Sequence, residues 1–177
     1  MLTALLIAAG VVAALLLFAA TRPNTIEVRR SALIGAPAER IYALLDDFHR
    51  WPVWSPWEKL DPGMNRTHSG AASGKGAVYE WSGNKKVGRG RMEILETAPA
   101  GRLVIKLDFF EPFESHNTTV FSLEAAGGGT RVDWTMTGPN SFMGKLMGIF
   151  VNMDKMIGKD FDSGLANLKG AAEGLAA

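Results

Sequence analysis

The residues of this chain that could carry acid–base, metal or nucleophilic chemistry are few, and their spacing excludes most of it. There is no cysteine, which removes disulfides, zinc–thiolate centres and thiol nucleophiles. His49, His68 and His116 stand at spacings that suit no metal ion, so neither a metal nor another cofactor is expected. His116 shares a strand with Thr118 and faces away from Phe121, which reads as a solvent-facing position. Tyr79 and Trp81 alternate with Val78 and Glu80, and parity alone leaves open which pair points inward. Acid–base catalysis needs a titratable group inside a cavity, and no inward His, Asp or Glu stands out. Arg89 and Arg91 share a face with Glu93, the pattern of surface ion pairs. Gly88-Arg89-Gly90 lacks a third glycine and a strand-to-helix context, Gly74-Lys75 is followed by Gly76, and no Gly-x-Ser-x-Gly occurs. Nucleotide cradles and a serine-hydrolase elbow are thereby excluded.

Apolar residues are better placed. Trp51, Trp54 and Trp57 fall within one short stretch broken by Pro52 and Pro56. They read either as packing of short helices against a sheet edge or as the rim of a cavity mouth. Contact with a membrane interface, where Trp is favoured, is a third use. Met143, Met147, Met153 and Met156 lie among Gly144, Gly148, Gly158 and Gly164. Methionine fills irregular cores and also lines adaptable binding surfaces. Glycine inside a helix points to close approach or to a helix that flexes.

The elements that must position these residues follow from periodicity. Thr25 to Ile34 reads as a strand, and Pro37 opens a helix with Ile41, Leu44, Leu45 and Phe48 on one face. Strands are expected at about 64–69, 76–82, 86–97, 102–110, 114–125 and 130–137, separated by Gly- and Pro-containing turns. Leu103, Ile105, Leu107 and Phe109 alternate with Arg102, Val104, Lys106 and Asp108. Asn117, Thr119, Phe121 and Leu123 share a face, as do Val132, Trp134 and Met136. That is an antiparallel sheet with one dry and one wet face. From Ser141 to about Leu168 the period becomes helical, which predicts one uninterrupted helix of seven to eight turns to cover the dry face.

The first twenty residues carry no charged side chain and, as a helix, reach about 30 Å, the thickness of a bilayer's hydrocarbon core. A cleaved signal peptide is the competing reading. It wants a basic n-region, which is absent, and small residues at the cleavage site, where Phe18 or Leu17 would stand. Residues 1–21 are therefore expected to be a single transmembrane anchor and 22–177 one domain. Arg22, Arg29 and Arg30 place that domain on the cytoplasmic side of the cell membrane, with a periplasmic or secreted domain as the alternative. A net charge of +1 from 19 basic and 18 acidic side chains gives no case for nucleic acid.

The segment Ile34-Gly35-Ala36-Pro37-Ala38-Glu39-Arg40-Ile41-Tyr42-Ala43-Leu44-Leu45-Asp46-Asp47 resembles the opening of the SRPBCC (START/Bet v 1-like) superfamily. Trp51–Trp57 with Asp61-Pro62, Gly76–Trp81, Gly88–Met92, Gly129–Trp134 and Gly164–Lys169 resemble its polyketide cyclase/dehydrase branch. The likeness covers about residues 25–172. It implies an α+β helix-grip fold, a curved antiparallel sheet wrapped on a long C-terminal helix. It also implies a pocket between them and one of several roles: lipid carrier, receptor, aromatase/cyclase or chaperone activator. The expected function is membrane-tethered binding of a small hydrophobic molecule, such as a lipid, isoprenoid or polyketide-like compound. The expected contacts are Trp51, Trp54, Trp57, Tyr79, Trp81, Leu107, Phe109, Asn117, Thr119, Phe121, Trp134, Met136, Phe150, Met153 and Ile157. A cyclase/dehydrase-type enzyme would need an acid or base in the pocket, and a co-chaperone would show an exposed apolar patch instead.

Overall fold

Gly127 and Gly128 both take positive φ, 57° and 82°, and so form the two-residue turn whose twist suits a β-hairpin. They join Ser115–Ala126 (β6) to Gly129–Pro139 (β7), which pair from Ala126↔Gly129 onward. The computed structural model describes residues 1–150 and 152–174, with Met153 described by its backbone alone. It contains Thr25–Ile34 (β1), Asn65–Gly70 (β2), Ala77–Ser82 (β3), Arg89–Ala98 (β4) and Arg102–Glu111 (β5) besides that hairpin. The seven strands form one antiparallel sheet in the order β1-β7-β6-β5-β4-β3-β2. β2 to β7 are thus a meander, and β1 closes the sheet beside the last strand.

The alternation of the strands sets the faces. Ile94, Ile105, Thr119, Met136 and Val28 lie in one cross-strand row on the dry face and are all buried. Phe121 and Trp134 form the next row, with Leu103 beside Phe121. Tyr79 and Trp81 point inward and Glu80 outward, which answers the parity question on β3. On the other face Asp108 is buried too, beneath Lys106 and His116, which lie 2.9 and 2.8 Å from its carboxylate.

A helix at Ala38–Leu45 (α2) and two 3-10 turns, Phe48–Val53 and Pro56–Lys59, follow β1. The Trp51 and Trp54 indoles donate to the Leu45 and Leu44 carbonyls, both at 3.0 Å, and tie the turns to the end of α2.

The single C-terminal helix expected from the sequence is two helices. Phe142–Met147 (α3) is capped by Ser141, whose Oγ accepts from the Gly144 amide, and it ends at Gly148. Met153–Glu173 (α4) begins afresh with Asn152, whose side chain accepts from the Lys155 amide at 2.9 Å. Glycine gives the first helix little reason to continue, and the asparagine cap rewards a new start. α4 lies across the dry face and buries Phe161, Leu165, Leu168 and Ala172. Arg30, from the edge strand β1, reaches Asp154 and Asp162 on α4 at 3.1 and 3.4 Å. The leading Leu2–Ala20 helix (α1) packs against α3 and is otherwise exposed.

Close approach explains two of the glycines in α4, Gly158 beneath Arg30 and Gly164. A methyl group at Gly164 would stand 2.7 Å from the Trp134 ring and 3.3 Å from Pro56. Gly164→Ala should therefore lower stability by about 1–2 kcal/mol, because overpacking of roughly 1–3 kcal/mol outweighs the helix-propensity gain of about 1 kcal/mol. Thermal unfolding of the full chain would read this as a fall of several degrees; an unchanged or higher midpoint would contradict the packing.

Candidate functional site

The rings that fill the dry face form a chain of contacts. Trp134 stacks on Phe161 of α4 with centroids 4.0 Å apart, and Trp54, Trp57 and Phe121 meet Trp134 edge-on or tilted. On one side of this cluster the sheet and the first turns of α4 do not close. A cavity of about 250 Å³ remains there, just below the roughly 300–1,000 Å³ of pockets that hold drug-sized ligands.

Its sheet wall is Tyr79, Trp81, Met92, Leu107, Phe109, Thr119, Trp134 and Met136. Ile157, Asp160 and Phe161 form the helix wall, while Trp51, Ser55, Trp57, Glu58 and Met64 line it from the 3-10 turns and the chain after them. Lys86, Val87, Glu111 and Pro112 complete the lining.

Ten of the fifteen residues expected at a ligand site thus line one cavity, and four of the other described ones do not. Trp54 lies behind it, wholly buried among Trp51, Phe121 and Trp134. Phe121 is buried in the same cluster. Asn117 faces inward, but its amide is spent on Ser115 Oγ at 2.9 Å, and its side chain packs over Gly138. Phe150 sits in the turn between α3 and α4, not on a continuous helix, and is 71% exposed, away from the cavity. The side chain of Met153 lies outside the described residues.

Sequence reasoning missed three carboxylates in the wall: Glu58, Asp160 and, at the end of β5, Glu111. Glu58 is buried on the 3-10 turn set by Pro56, where no periodicity marks an inward side. Its Oε1 accepts from the Tyr79 hydroxyl at 2.5 Å and its Oε2 from Arg66 Nε at 2.7 Å. Both oxygens are engaged, so the Glu58 side chain is held in one place. Burial, and then the bond to Glu58, push the Tyr79 phenol well above its ordinary pKa, so it stays a donor. Asp160 precedes Phe161 by one position and follows Ile157 by three, a signal available in the helical stripe. Burial raises its carboxyl above the ordinary value, against the pull of Lys159.

Two residues of the lining carry a buried polar atom with no hydrogen-bond partner: Thr119 Oγ1 and Trp134 Nε1. Each residue is only 3% exposed. A buried donor left unpaired costs about 1–3 kcal/mol, which sets these two atoms apart from the satisfied polar groups around them.

The histidines stand apart from this cavity. His49 and His68 stack at 4.1 Å, with Asp47 Oδ1 2.9 Å from His49 Nδ1. Burial, and then the neighbouring His49 ring, lower the pKa of His68. His116 is on the wet face beside Asp108 and Glu114. Among the described residues no group of three side chains could hold a metal ion.

The raised carboxyl gives a signed prediction. Folding lifts the Asp160 pKa, so the folded chain binds the extra proton, and ionisation costs stability at every pH above that value. Asp160→Asn should raise the midpoint of unfolding at neutral pH, and the gain should vanish as the pH falls below about 4, where the carboxyl is protonated in both states. Melting curves of both chains across that range would show the two converging; a constant offset would mean Asp160 is not the titrating group.

Comparison with known proteins places the fold. The chain covers 86% of its own length and 99% of a Chromobacterium violaceum protein at 19% identity and a TM-score of 0.59. It matches the Aha1 dimer from Colwellia psychrerythraea over 86% of this chain and 99% of that one, at 16% identity and a TM-score of 0.61. The di-domain ARO/CYC StfQ from the steffimycin biosynthetic pathway matches over 84% of this chain and 51% of its own, at 10% identity and a TM-score of 0.60. At these identities the likeness shows a shared Bet v 1-like architecture. No curated protein sequence matches at a significant level. The model of one family, described as polyketide cyclase / dehydrase and lipid transport, matches residues 25–173. That match spans most of the chain and the whole of the sheet and α4, and the protein belongs to this family.

Proposed function

We propose that residues 22–177 bind one small, uncharged, largely apolar molecule that carries an oxygen acceptor, and that residues 1–21 tether this domain to a membrane. The observation that carries the reading is the pair of unpartnered buried groups, Thr119 Oγ1 and Trp134 Nε1, on two residues that line a largely apolar cavity. The indole can only donate, so the ligand supplies an acceptor. Three carboxylates, Glu58, Glu111 and Asp160, line the cavity against one cation, Lys86, which disfavours an anionic head group such as that of a fatty acid. The volume favours a compact ring or short isoprenoid-sized molecule over a diacyl lipid. Trp51, Trp57, Tyr79, Trp81, Leu107, Phe109, Met136 and Ile157 would form the apolar contacts.

α1 is long and apolar enough for a membrane span, and it suits a signal sequence by the same test. The missing basic n-region and the large residues at the cleavage positions favour the span, with Arg22, Arg29 and Arg30 on its cytoplasmic side. Tethering raises the effective concentration of the domain at a bilayer into which such a ligand partitions.

A second reading rests on Asp160. A carboxylate of raised pKa in a cavity wall is the residue type for proton transfer, and the family includes cyclases and dehydrases. Under that reading Asp160 accepts the proton α to a ligand carbonyl held at Thr119 and Trp134. Asp160→Asn would then bind ligand and fail to convert it.

A matched probe set tests the binding reading: butylbenzene, the ketone butyrophenone and the anion phenylbutyrate. In equilibrium dialysis of the detergent-solubilised full chain against a detergent blank, the ketone should bind tightest and the anion weakest. Trp134→Phe should weaken the ketone about tenfold, the value of one lost hydrogen bond, and leave butylbenzene unchanged. Tightest binding of the anion, or no binding of any probe, would reject it.

A further inference from the structure

We infer that α3 and the turn after it form a second membrane contact, lying in the lipid interface of the bilayer that α1 spans. The inference rests on reading α1 as a span, and its occupant is a lipid surface. Among the described residues after α1, half of the large exposed apolar side chains fall between Phe142 and Met156: Phe142, Met143, Met147, Phe150 and Met156. Phe142, Met143 and Met147 occupy about 140° of arc on α3, at 3.6 residues per turn. Lys145, outside that arc, is turned away and donates to Asn24 Oδ1 at 2.5 Å. The helix therefore has one apolar, exposed face and one face fixed to the domain.

The chain itself says what covers that face. α1 ends at Ala20 and β1 begins at Thr25. The four residues between them span at most about 14 Å when extended. They are also tied to α3 and its flanks: Arg22 donates to the Gly148 carbonyl at 3.3 Å, and Asn140 donates through its side chain to the Pro23 carbonyl at 3.1 Å and through its backbone to the Asn24 carbonyl at 2.8 Å. A bilayer around α1 must then end beside α3, whatever the tilt of α1. Soluble proteins rarely leave such an apolar patch open to water, and an amphipathic element at a bilayer face buries its apolar side in the headgroup and acyl boundary. The same contact would hold the first turns of α4, with Ile157 and Asp160 in the cavity wall, close to the lipid. A ligand dissolved in the bilayer would reach the cavity by a short path.

The absence of cysteine makes a clean test possible. Single-cysteine variants of the full chain would carry a nitroxide at Met143→Cys and Phe150→Cys, with Val12→Cys in α1 and Phe113→Cys at the exposed β5–β6 turn as references. In phosphatidylcholine vesicles, the oxygen-to-nickel accessibility ratio at 143 and 150 should be several-fold above that at 113 and below that at 12. Ratios at 143 and 150 equal to that at 113, with position 12 in lipid, would overturn the second contact and leave the tether standing. A water-exposed label at position 12 would overturn the tether and this inference together.

Discussion

A single helix cannot cover this sheet, and the rest of the structure depends on that mismatch. Seven strands at about 4.8 Å spacing make a surface roughly 29 Å wide, against about 10–12 Å for a helix with its side chains. The dry face of such a sheet must be buried by something else, and the chain uses three devices. The strands carry Phe121 and Trp134, large enough to fill the centre. α2 and the two 3-10 turns bring Trp51, Trp54 and Trp57 in from the side. Toward β3, β4 and β5 the described residues leave space between sheet and helix, and that space is the cavity.

How α4 is held decides where that space lies. Its C-terminal half is packed close, with Gly164 against Trp134, Phe161 stacked on the same ring, and Leu165 and Leu168 buried. Its first turns are held differently. Arg30 reaches across from β1 to Asp154 and Asp162, and Gly158 gives its guanidinium room to pass. The N-terminal part is thus anchored by charge at the β1 edge and stands off the sheet on its other side, where Ile157 and Asp160 face the cavity. The buried charge of Glu58 is tolerated because Tyr79 and Arg66 satisfy both oxygens, whereas Thr119 and Trp134 have no such partners. The contrast separates groups that hold the wall together from groups that the proposed ligand would have to satisfy.

Most of the fold was legible in the sequence because a one-sided sheet writes its faces into alternation. The strands appear within a few residues of their expected positions, and Gly127-Gly128 marks its hairpin outright. What escaped was local and aperiodic. Asn152 restarts a helix in the middle of a stripe whose apolar spacing runs on unbroken, so Phe150 stands in a turn where the period alone predicts a helix. Glu58 lies on a short turn after Pro56, where neither period applies. Asn117 keeps the right parity, but its amide is used by Ser115. Parity gives the side of a sheet; it does not say whether a neighbour has already claimed the polar group.

The proposed function requires that the cavity between sheet and α4 hold a molecule. Native mass spectrometry of the full chain, taken in detergent from the membranes of cells that express it, asks this directly. One uncharged adduct per chain, far lighter than a diacyl lipid, is the predicted result. The bare mass alone, or a ladder of several phospholipid adducts with no preferred stoichiometry, would contradict it.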